Sequence, residues 1–166
     1  MSTVEQAIKT LDAAIGDPCA GLPDEVFRFA SGITPLINVD LLIKDADGRT
    51  LLTWRDDGFG KPGWHIPGGI IRFKEPISAR IREVARTELG AEVEFESSPL
   101  ALHEIIHPER RVRGHFISLL YRCSLTSPPD EQLRYGSGAV RPNQWKWHAA
   151  CPDDMIAVHR IYGKYF

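Results

Sequence analysis

The chain has 166 residues, of which 43% are hydrophobic and 25% are charged, and its formal net charge at pH 7 is −2. These values are ordinary for a single soluble globular domain, so they exclude intrinsically disordered, collagen-like and disulfide-scaffold proteins. The near balance of acidic and basic residues argues against a nucleic-acid-binding or an anionic-membrane surface. We therefore expect no nucleic-acid partner and no membrane partner.

The cysteine and arginine contents bear on location and ligand class. The three cysteines show no C-x-x-C spacing, which predicts thiols in a reducing compartment, most simply the cytoplasm. Arginine outnumbers lysine by 14 to 6. This excess indicates either a phosphorylated ligand, because a guanidinium binds phosphate bidentately, or a high-GC coding bias.

Apolar spacing predicts the first helices. Ser2 and Glu5 form a capping-box start, and the helix that follows ends at Gly16. A second short helical segment is predicted after Pro23. We expect this N-terminal segment either to cover the core or to pack against a second subunit, so that a homodimer is an open possibility.

Strands dominate the rest of the chain. They are predicted at residues 36–44, 50–55, 91–96, 100–106, 115–124 and 145–148, with two short extended pieces around Pro67-Gly68-Gly69. One helix is predicted at residues 75–89, a long polar loop at 127–143, and a partly helical tail at 152–166. A helix placed between strands predicts an α/β fold in which helices cover a mixed sheet.

The stretch WHIPGGIIRFKEPISARIREVARTELGA, residues 64–91, carries the most informative pattern. On the predicted helix, Glu88 falls on the same side as the apolar residues Ile81 and Val84. A carboxylate on a buried face needs a partner, which is a metal ion, an arginine or a set of backbone donors. The preceding glycine pair lets the backbone approach a ligand closely. The pattern thus indicates either a metal–diphosphate site or a buried structural contact.

Several separated motifs resemble those of the Nudix hydrolases and, among them, of the GDP-mannose mannosyl hydrolases. The Nudix box G-x5-E-x7-R-E-U-x-E-E-x-G-U, with U apolar, is in register at Gly69, Glu75, Glu88 and Gly90. The motifs T-P-L-x-x-x-D, L-L-x-x-R and W-x-x-P-G-G match at residues 34–40, 51–55 and 64–69. The resemblance covers residues 34–147. It implies a Nudix-fold α/β/α sandwich with a mixed β-sheet, as a domain of residues 33–166 behind an N-terminal helical segment of residues 1–32.

The metal-binding part of the box is reduced. Two of its three carboxylate positions hold Val84 and Thr87, so that only Glu88 remains. The resemblance to the mannosyl hydrolases implies one Mg²⁺, bound by the Gly68 carbonyl, by Glu88 and by a glutamine late in the chain. That glutamine position falls on Arg141 in this sequence, with Gln144 close by.

The general base is also missing from its family position, which holds Pro142. His107 and His115 lie on or near predicted strands, and an imidazole that titrates near neutral pH can deprotonate water. Each is therefore a candidate catalytic base, and each has the alternative of being a hydrogen-bonded structural residue. The base is left open between a histidine and a carboxylate.

Three further residues complete the predicted site. Asp40 interrupts an apolar strand, and the resemblance implies that it contacts the sugar near the anomeric carbon. Arg55 ends a strand, and the resemblance implies that it stabilises the departing diphosphate; the alternative is a solvated arginine at the end of a strand. Arg72 is expected to contact a substrate phosphate. A pair between Glu75 and Arg82 is predicted to brace the loop before the helix.

These residues together favour Mg²⁺-dependent hydrolysis of a nucleoside-diphosphate sugar similar to GDP-mannose, with water attacking the anomeric carbon. The alternatives are a conventional Nudix pyrophosphohydrolase that attacks phosphorus, and a Nudix-fold module that binds nucleotides without catalysis. Four aromatic residues could stack on a nucleobase or belong to the core; they are Trp54, Trp64, Phe116 and Trp145.

Overall fold

A computed structural model describes residues 2–58 and 60–166. The helices are α1 (Thr3–Ile15), α2 (Asp24–Ala30) and α3 (Ile77–Val84), and 3₁₀ turns lie at Glu131–Leu133 and Ala157–Tyr165. The strands are β1 (Leu36–Ile43), β2 (Thr50–Arg55), β3 (Gly63–His65), β4 (Gly68–Ile70), β5 (Val93–Phe95), β6 (Ala101–Ile106), β7 (His115–Leu125) and β8 (Trp145–His148). Every strand predicted from the sequence is present, within about three residues at its ends.

The strands form two sheets. In the first sheet β1 lies between β4 and β7, and β7 pairs along its other edge with β6 and then with β5. The β1–β7 pairing is parallel and the others are antiparallel, so the predicted mixed sheet is confirmed. The second sheet is antiparallel, with β2 between β3 and β8.

Each face of the first sheet is covered by a different part of the chain. On one face, buried residues of β1 such as Val39 and Leu41 pack with Ile81 and Val84 of α3. On the other face, residues such as Leu42 pack with the second sheet and the C-terminal segment. Because side chains alternate along a strand, β1 contributes to both cores.

The end of α3 widens before the chain leaves the helix. Residues Ala85–Leu89 form a π-helical turn, and Gly90 then adopts the left-handed conformation with φ 62°. A left-handed residue after the last turn is the position that glycine fills most easily. The π turn changes the direction of the side chains in its last residues, and π turns of this kind occur often at functional sites.

The brace predicted between Glu75 and Arg82 is wrong, because a different arginine makes this contact. The Glu75 carboxylate pairs with Arg80 at 2.8 Å and accepts the backbone N–H of Arg72 at 2.9 Å. Glu75 precedes the first turn of α3, so a helical wheel that starts at Glu75 does not describe its neighbours. Arg82 is exposed and lies over the Phe95 ring instead.

The N-terminal helix α1 has the predicted capping box, in which Ser2 and Glu5 exchange side-chain-to-backbone hydrogen bonds. Among the residues that the structure describes, no α1 residue is buried. The helix therefore does not cover the core, and its packing against a second subunit stays a prediction, as does the division at residue 32. No helix in the described part of the chain is long and apolar enough to cross a membrane.

Gly63 offers a direct test of the contact between the second sheet and the C-terminal segment. A Cβ at this position would overlap the backbone carbonyl oxygen of Asp154 and lie 3.1 Å from the backbone nitrogen of Ile156. Since backbone atoms cannot rotate away, we expect Gly63→Ala to lower the free energy of unfolding by about 1–3 kcal/mol. Gly136→Ala is the matched control, because its Cβ would meet open space. Equal denaturant midpoints for the two variants would contradict this contact.

Candidate active site

The glycine pair stands where three elements meet. Gly68 lies opposite Asp40 in the β1–β4 ladder, and Gly69 lies opposite Val39. A Cβ on Gly68 would overlap the Asp40 carboxylate, and a Cβ on Gly69 would lie 2.8 Å from the Val84 side chain. The close approach of β1 and α3 to this strand therefore requires glycine at both positions.

Glu88 points from the π turn toward this strand. Its Oε2 accepts the Thr53 hydroxyl at 2.8 Å and lies 3.4 Å from His65 Nε2, and its Oε1 accepts the Gly68 N–H at 3.1 Å. Burial by itself would raise the pKa of Glu88, but the neighbouring His65 and the hydrogen bonds from Thr53 and Gly68 outweigh it and lower the pKa. The carboxylate is thus held ionised, with 21% of the side chain exposed.

Asp40 is almost completely buried, with 1% of its surface exposed. Its Oδ2 accepts hydrogen bonds from Asn38, Ser118 and Tyr162, whereas Oδ1 is the oxygen next to Gly68. Burial raises the pKa of Asp40 above the usual range of an aspartate, and the three hydrogen bonds offset only part of this rise. A carboxylate of raised pKa binds a proton more readily than an ordinary aspartate does, as a general base must.

Two histidines that the sequence analysis did not single out stand beside these carboxylates. His65 donates from Nδ1 to the Thr53 carbonyl at 2.9 Å, while His159 Nδ1 accepts the backbone N–H of Ile66 at 3.2 Å. The two rings are 5.6 Å apart. Burial lowers the pKa of His159 well below its usual value, so this ring is neutral and carries its proton on Nε2. His65 directly precedes the Ile-Pro-Gly-Gly turn, so its position next to this motif could have identified it from the sequence. Only the tertiary fold brings His159 to the site.

Two arginines lie near the C-terminal end of β2. Arg55 forms an ion pair with Asp57, and Arg113, from the loop between β6 and β7, lies 3.9 Å from the same carboxylate. Burial and the nearby charge of Arg55 lower the pKa of Arg113. A second anion between these guanidiniums would therefore be stabilised. The sequence analysis did not include Arg113 in the site, because a run of arginines in a hairpin loop is usually a solvated turn.

A cavity of about 1000 Å³ connects these groups. Of the predicted site residues it brings together Asp40, Arg55, Gly68, Glu88 and His107, which all line its wall. Its volume and its mixture of polar and apolar walls are those of a small-molecule site.

His107 lies at the far end of this cavity. It follows Ile106, whose strand partner is His115, whereas Asp40 is paired with Leu120. At about 3.3 Å per residue, these two rungs of β7 are about 17 Å apart. A general base must reach its proton directly or through one water, so His107 and Asp40 do not act on the same water.

Two predicted residues lie elsewhere. His115 is on the opposite face of β7 from Phe116, which lines the cavity, and it contacts the exposed Glu104 at 3.3 Å. Arg72 is exposed, and its guanidinium lies against Gly21. These placements do not support the roles predicted for His115 and Arg72.

Comparisons with known proteins identify the fold. A MutT Nudix hydrolase from Burkholderia pseudomallei is 21% identical, with a TM-score of 0.63, and the alignment covers 80% of this chain and 98% of that one. A UDP-X diphosphatase is 15% identical with a TM-score of 0.57, over 98% of this chain and 87% of that one. This chain has the Nudix fold. The predicted α/β/α sandwich and the resemblance to Nudix hydrolases are thereby confirmed at the level of structure.

A comparison of sequences finds a further similar protein. The low-salt glycan biosynthesis protein Agl8 of Haloferax volcanii is 29% identical over 112 residues, which are 65% of this chain and 70% of the relative. No protein-family model matches the chain.

The two positions where the resemblance implies a metal-binding glutamine and a general base are filled differently in this chain. Pro142 lines the cavity and has neither an acid nor a base. Gln144 is buried, and its side-chain oxygen accepts the backbone N–H of Arg141 at 2.8 Å. The glutamine next to the family position is therefore engaged in holding its own loop.

The metal-binding groups available near Glu88 determine which kind of Mg²⁺ site this Nudix fold can provide. In the described part of the chain, no group of three or more His, Cys, Asp or Glu side chains is arranged to hold a metal ion. Glu88 and the Gly68 carbonyl would supply two oxygen ligands, and Mg²⁺ is often held by one or two carboxylates together with substrate phosphates and water. The residues thus fit an ion that binds jointly with a diphosphate, and they do not fit an ion held by the protein alone.

Proposed function

We propose that this protein is a Nudix hydrolase that uses Mg²⁺ to hydrolyse a nucleoside-diphosphate sugar similar to GDP-mannose, releasing the sugar and the nucleoside diphosphate. The observation that carries the proposal is the single cavity shared by Glu88 at the glycine turn, the buried Asp40 and the arginine pair Arg55 and Arg113. In such a site the part next to Asp40 suits a sugar, and the part next to Arg55 and Arg113 suits a diphosphate. The name of the Haloferax volcanii relative, which refers to glycan biosynthesis, supports a substrate that carries a sugar.

Each residue has a defined part in this reaction. Glu88 and the Gly68 carbonyl would hold Mg²⁺, which neutralises charge on the departing diphosphate when it is bound. Arg55 and Arg113 bind the diphosphate through charge-assisted hydrogen bonds. Asp40 accepts the proton of the attacking water at Oδ1, because its Oδ2 is already engaged by three donors. His159 Nε2–H is a neutral donor that lines the same cavity.

Attack at carbon is favoured over attack at phosphorus by what surrounds Glu88. In the Nudix box two further carboxylates help to bind metals, but Val84 is buried against Gly69 and the Thr87 hydroxyl donates to the Glu83 carbonyl. Without these carboxylates the site cannot assemble several metal ions around a phosphorus atom. The missing carboxylates also keep a non-catalytic nucleotide-binding module as the second candidate.

The deciding experiment is turnover of a panel of nucleotide sugars, led by GDP-mannose, with Mg²⁺ in ¹⁸O-labelled water. We expect the label in the free sugar, because water attacks the anomeric carbon. Label in a phosphate product would replace this proposal with a conventional pyrophosphohydrolase. Binding without any turnover would replace it with the non-catalytic module. We also propose a cytoplasmic location, because the three cysteines form no disulfide, as is usual for proteins of a reducing compartment.

A further inference from the structure

The cavity floor that the first sheet forms next to Asp40 differs from the charged walls near Glu88 and the arginines. Ile70, Asn38, Phe116 and Ile105 line the cavity from β4, β1, β7 and β6. The register pairs Asn38 with Ile70 and Ile105 with Phe116, and the alternation of side chains directs all four to one face of the first sheet. We call these four residues the distal floor. It is apolar except for one amide.

That amide has an unused acceptor. Asn38 is 9% exposed, and its Nδ2 donates to Asp40 Oδ2 at 3.0 Å. Its Oδ1 is buried and has no hydrogen-bond partner among the described residues. The reverse orientation of the amide would place two oxygens against each other, so the network determines that oxygen is the free atom. A buried acceptor without a partner is costly, and a ligand donor that reaches it is favoured.

The walls around this acceptor discriminate between the two ends of a nucleotide sugar. A sugar ring carries several hydroxyls, and most of them would lose their hydrogen bonds with water against Ile70, Ile105 and Phe116. A nucleobase presents two flat faces that are desolvated at little cost, and its polar groups lie along one edge. Phe116 offers a ring on which such a face can stack.

We propose that the distal floor binds the nucleobase of the substrate, with Asn38 Oδ1 accepting an N–H from the edge of the base. This inference rests on the proposed function only for the class of ligand, a nucleoside diphosphate. It places the sugar near Asp40, the diphosphate between Arg55 and Arg113, and the base over the first sheet.

His107 supports the same assignment. Its Nε2 is also buried without a partner in the part of the chain that the structure describes, and it lines the cavity beyond Phe116. Burial lowers the pKa of His107, so the ring is neutral and is compatible with an uncharged base. Among the described residues, the cavity therefore offers two buried polar atoms without a hydrogen-bond partner, Asn38 Oδ1 beside Asp40 and His107 Nε2 beyond Phe116.

The test is calorimetric titration of the full chain with the Mg²⁺ complexes of GDP, ADP, UDP and CDP, and with inorganic pyrophosphate as the base-free probe. We expect at least one nucleoside diphosphate to bind more tightly than pyrophosphate. Asn38→Leu removes the acceptor at similar volume and is expected to weaken binding of the preferred nucleotide about three- to ten-fold, with pyrophosphate affinity unchanged.

A matched pair on β6 keeps the test independent of Asp40, which also contacts Asn38. Ile105 lines the cavity, whereas its neighbour Ile106 is 57% exposed on the other face of the sheet. Ile105→Ala is expected to weaken nucleotide binding by a similar factor, and Ile106→Ala is expected to leave it unchanged.

The outcomes separate this inference from the proposed function. Equal affinities of the wild type for pyrophosphate and for every nucleoside diphosphate would overturn the inference, as would equal losses of pyrophosphate and nucleotide affinity in Asn38→Leu. Hydrolysis of nucleotide sugars at rates that do not depend on the nucleobase would support the proposed hydrolase and reject this base site. Base-dependent binding without turnover would support the base site and reject the hydrolase.

Discussion

Replacing Glu88 with glutamine is expected to reduce Mg²⁺-dependent turnover of a nucleotide sugar by about 100-fold or more, because the charged metal ligand is lost. Glutamine has the same shape, and its amide oxygen can still accept the Gly68 N–H in place of Oε1. Its NH2 group then takes the place of Oε2 and can donate to the Thr53 hydroxyl, which can accept a hydrogen bond. The fold should therefore persist, and the loss should be in activity and Mg²⁺ dependence. The measurement is kcat as a function of Mg²⁺ concentration.

Glu83→Gln is the matched control for Glu88→Gln. Glu83 lies on α3 in the same part of the chain, and its carboxylate forms an ion pair with Arg86 at the surface. An exposed pair of this kind contributes little to stability, so Glu83→Gln should keep its turnover. Full activity in Glu88→Gln would show that the assigned metal site is wrong.

Asp40→Asn is expected to lower kcat by about 100- to 10,000-fold, the usual contribution of a general base. The asparagine oxygen can accept the hydrogen bonds from Asn38, Ser118 and Tyr162, so the buried network has a replacement acceptor. Its amide nitrogen would then face Gly68 and could not accept a proton. Single-turnover kinetics would separate this loss of chemistry from a loss of binding, and an unchanged rate would exclude Asp40 as the base.

The pH dependence of kcat/KM gives an independent check on Asp40. Burial raises the pKa of this carboxyl, while its neighbours on β1, β7 and the C-terminal segment, together with His65, partly oppose the rise. A base must be ionised, so activity should fall as the pH drops through this raised pKa, at a higher pH than an ordinary aspartate would require. Tyr162→Phe removes one donor to the carboxylate and should move the acidic limb to still higher pH.

The order and type of the secondary-structure elements followed from local patterns. The capping box of α1, the strands around the turn at residues 45–49 and the glycine turn at residues 67–69 all appear where apolar spacing and turn residues predicted them. The Nudix motifs then predicted the sandwich and placed Asp40, Arg55, Gly68 and Glu88 in one site, and they do line one cavity. Such patterns are readable because each depends on neighbours along the chain.

The placement of other candidate residues could not be predicted, because it depends on direction and distance in space. His115 and Phe116 are adjacent in sequence, yet the alternation along β7 places only Phe116 at the cavity. His107 shares the cavity with Asp40 but stands several strand rungs away, a separation that the register of β6 on β7 determines. Of the four aromatic candidates, Trp64 and Trp145 belong to the core, whereas Trp54 and Phe116 line the cavity.

The sequence by itself determined the elements, their order, the Nudix-type turn and the survival of a single carboxylate, Glu88, in the metal-binding part of the box. Only the tertiary structure decided what surrounds that carboxylate. His159 and Tyr162 come from the C-terminal segment, and Arg113 comes from the loop between β6 and β7, so their contacts cross more than 50 residues of chain. Contacts of that range depend on how the two sheets pack, and no local pattern in the sequence records that packing.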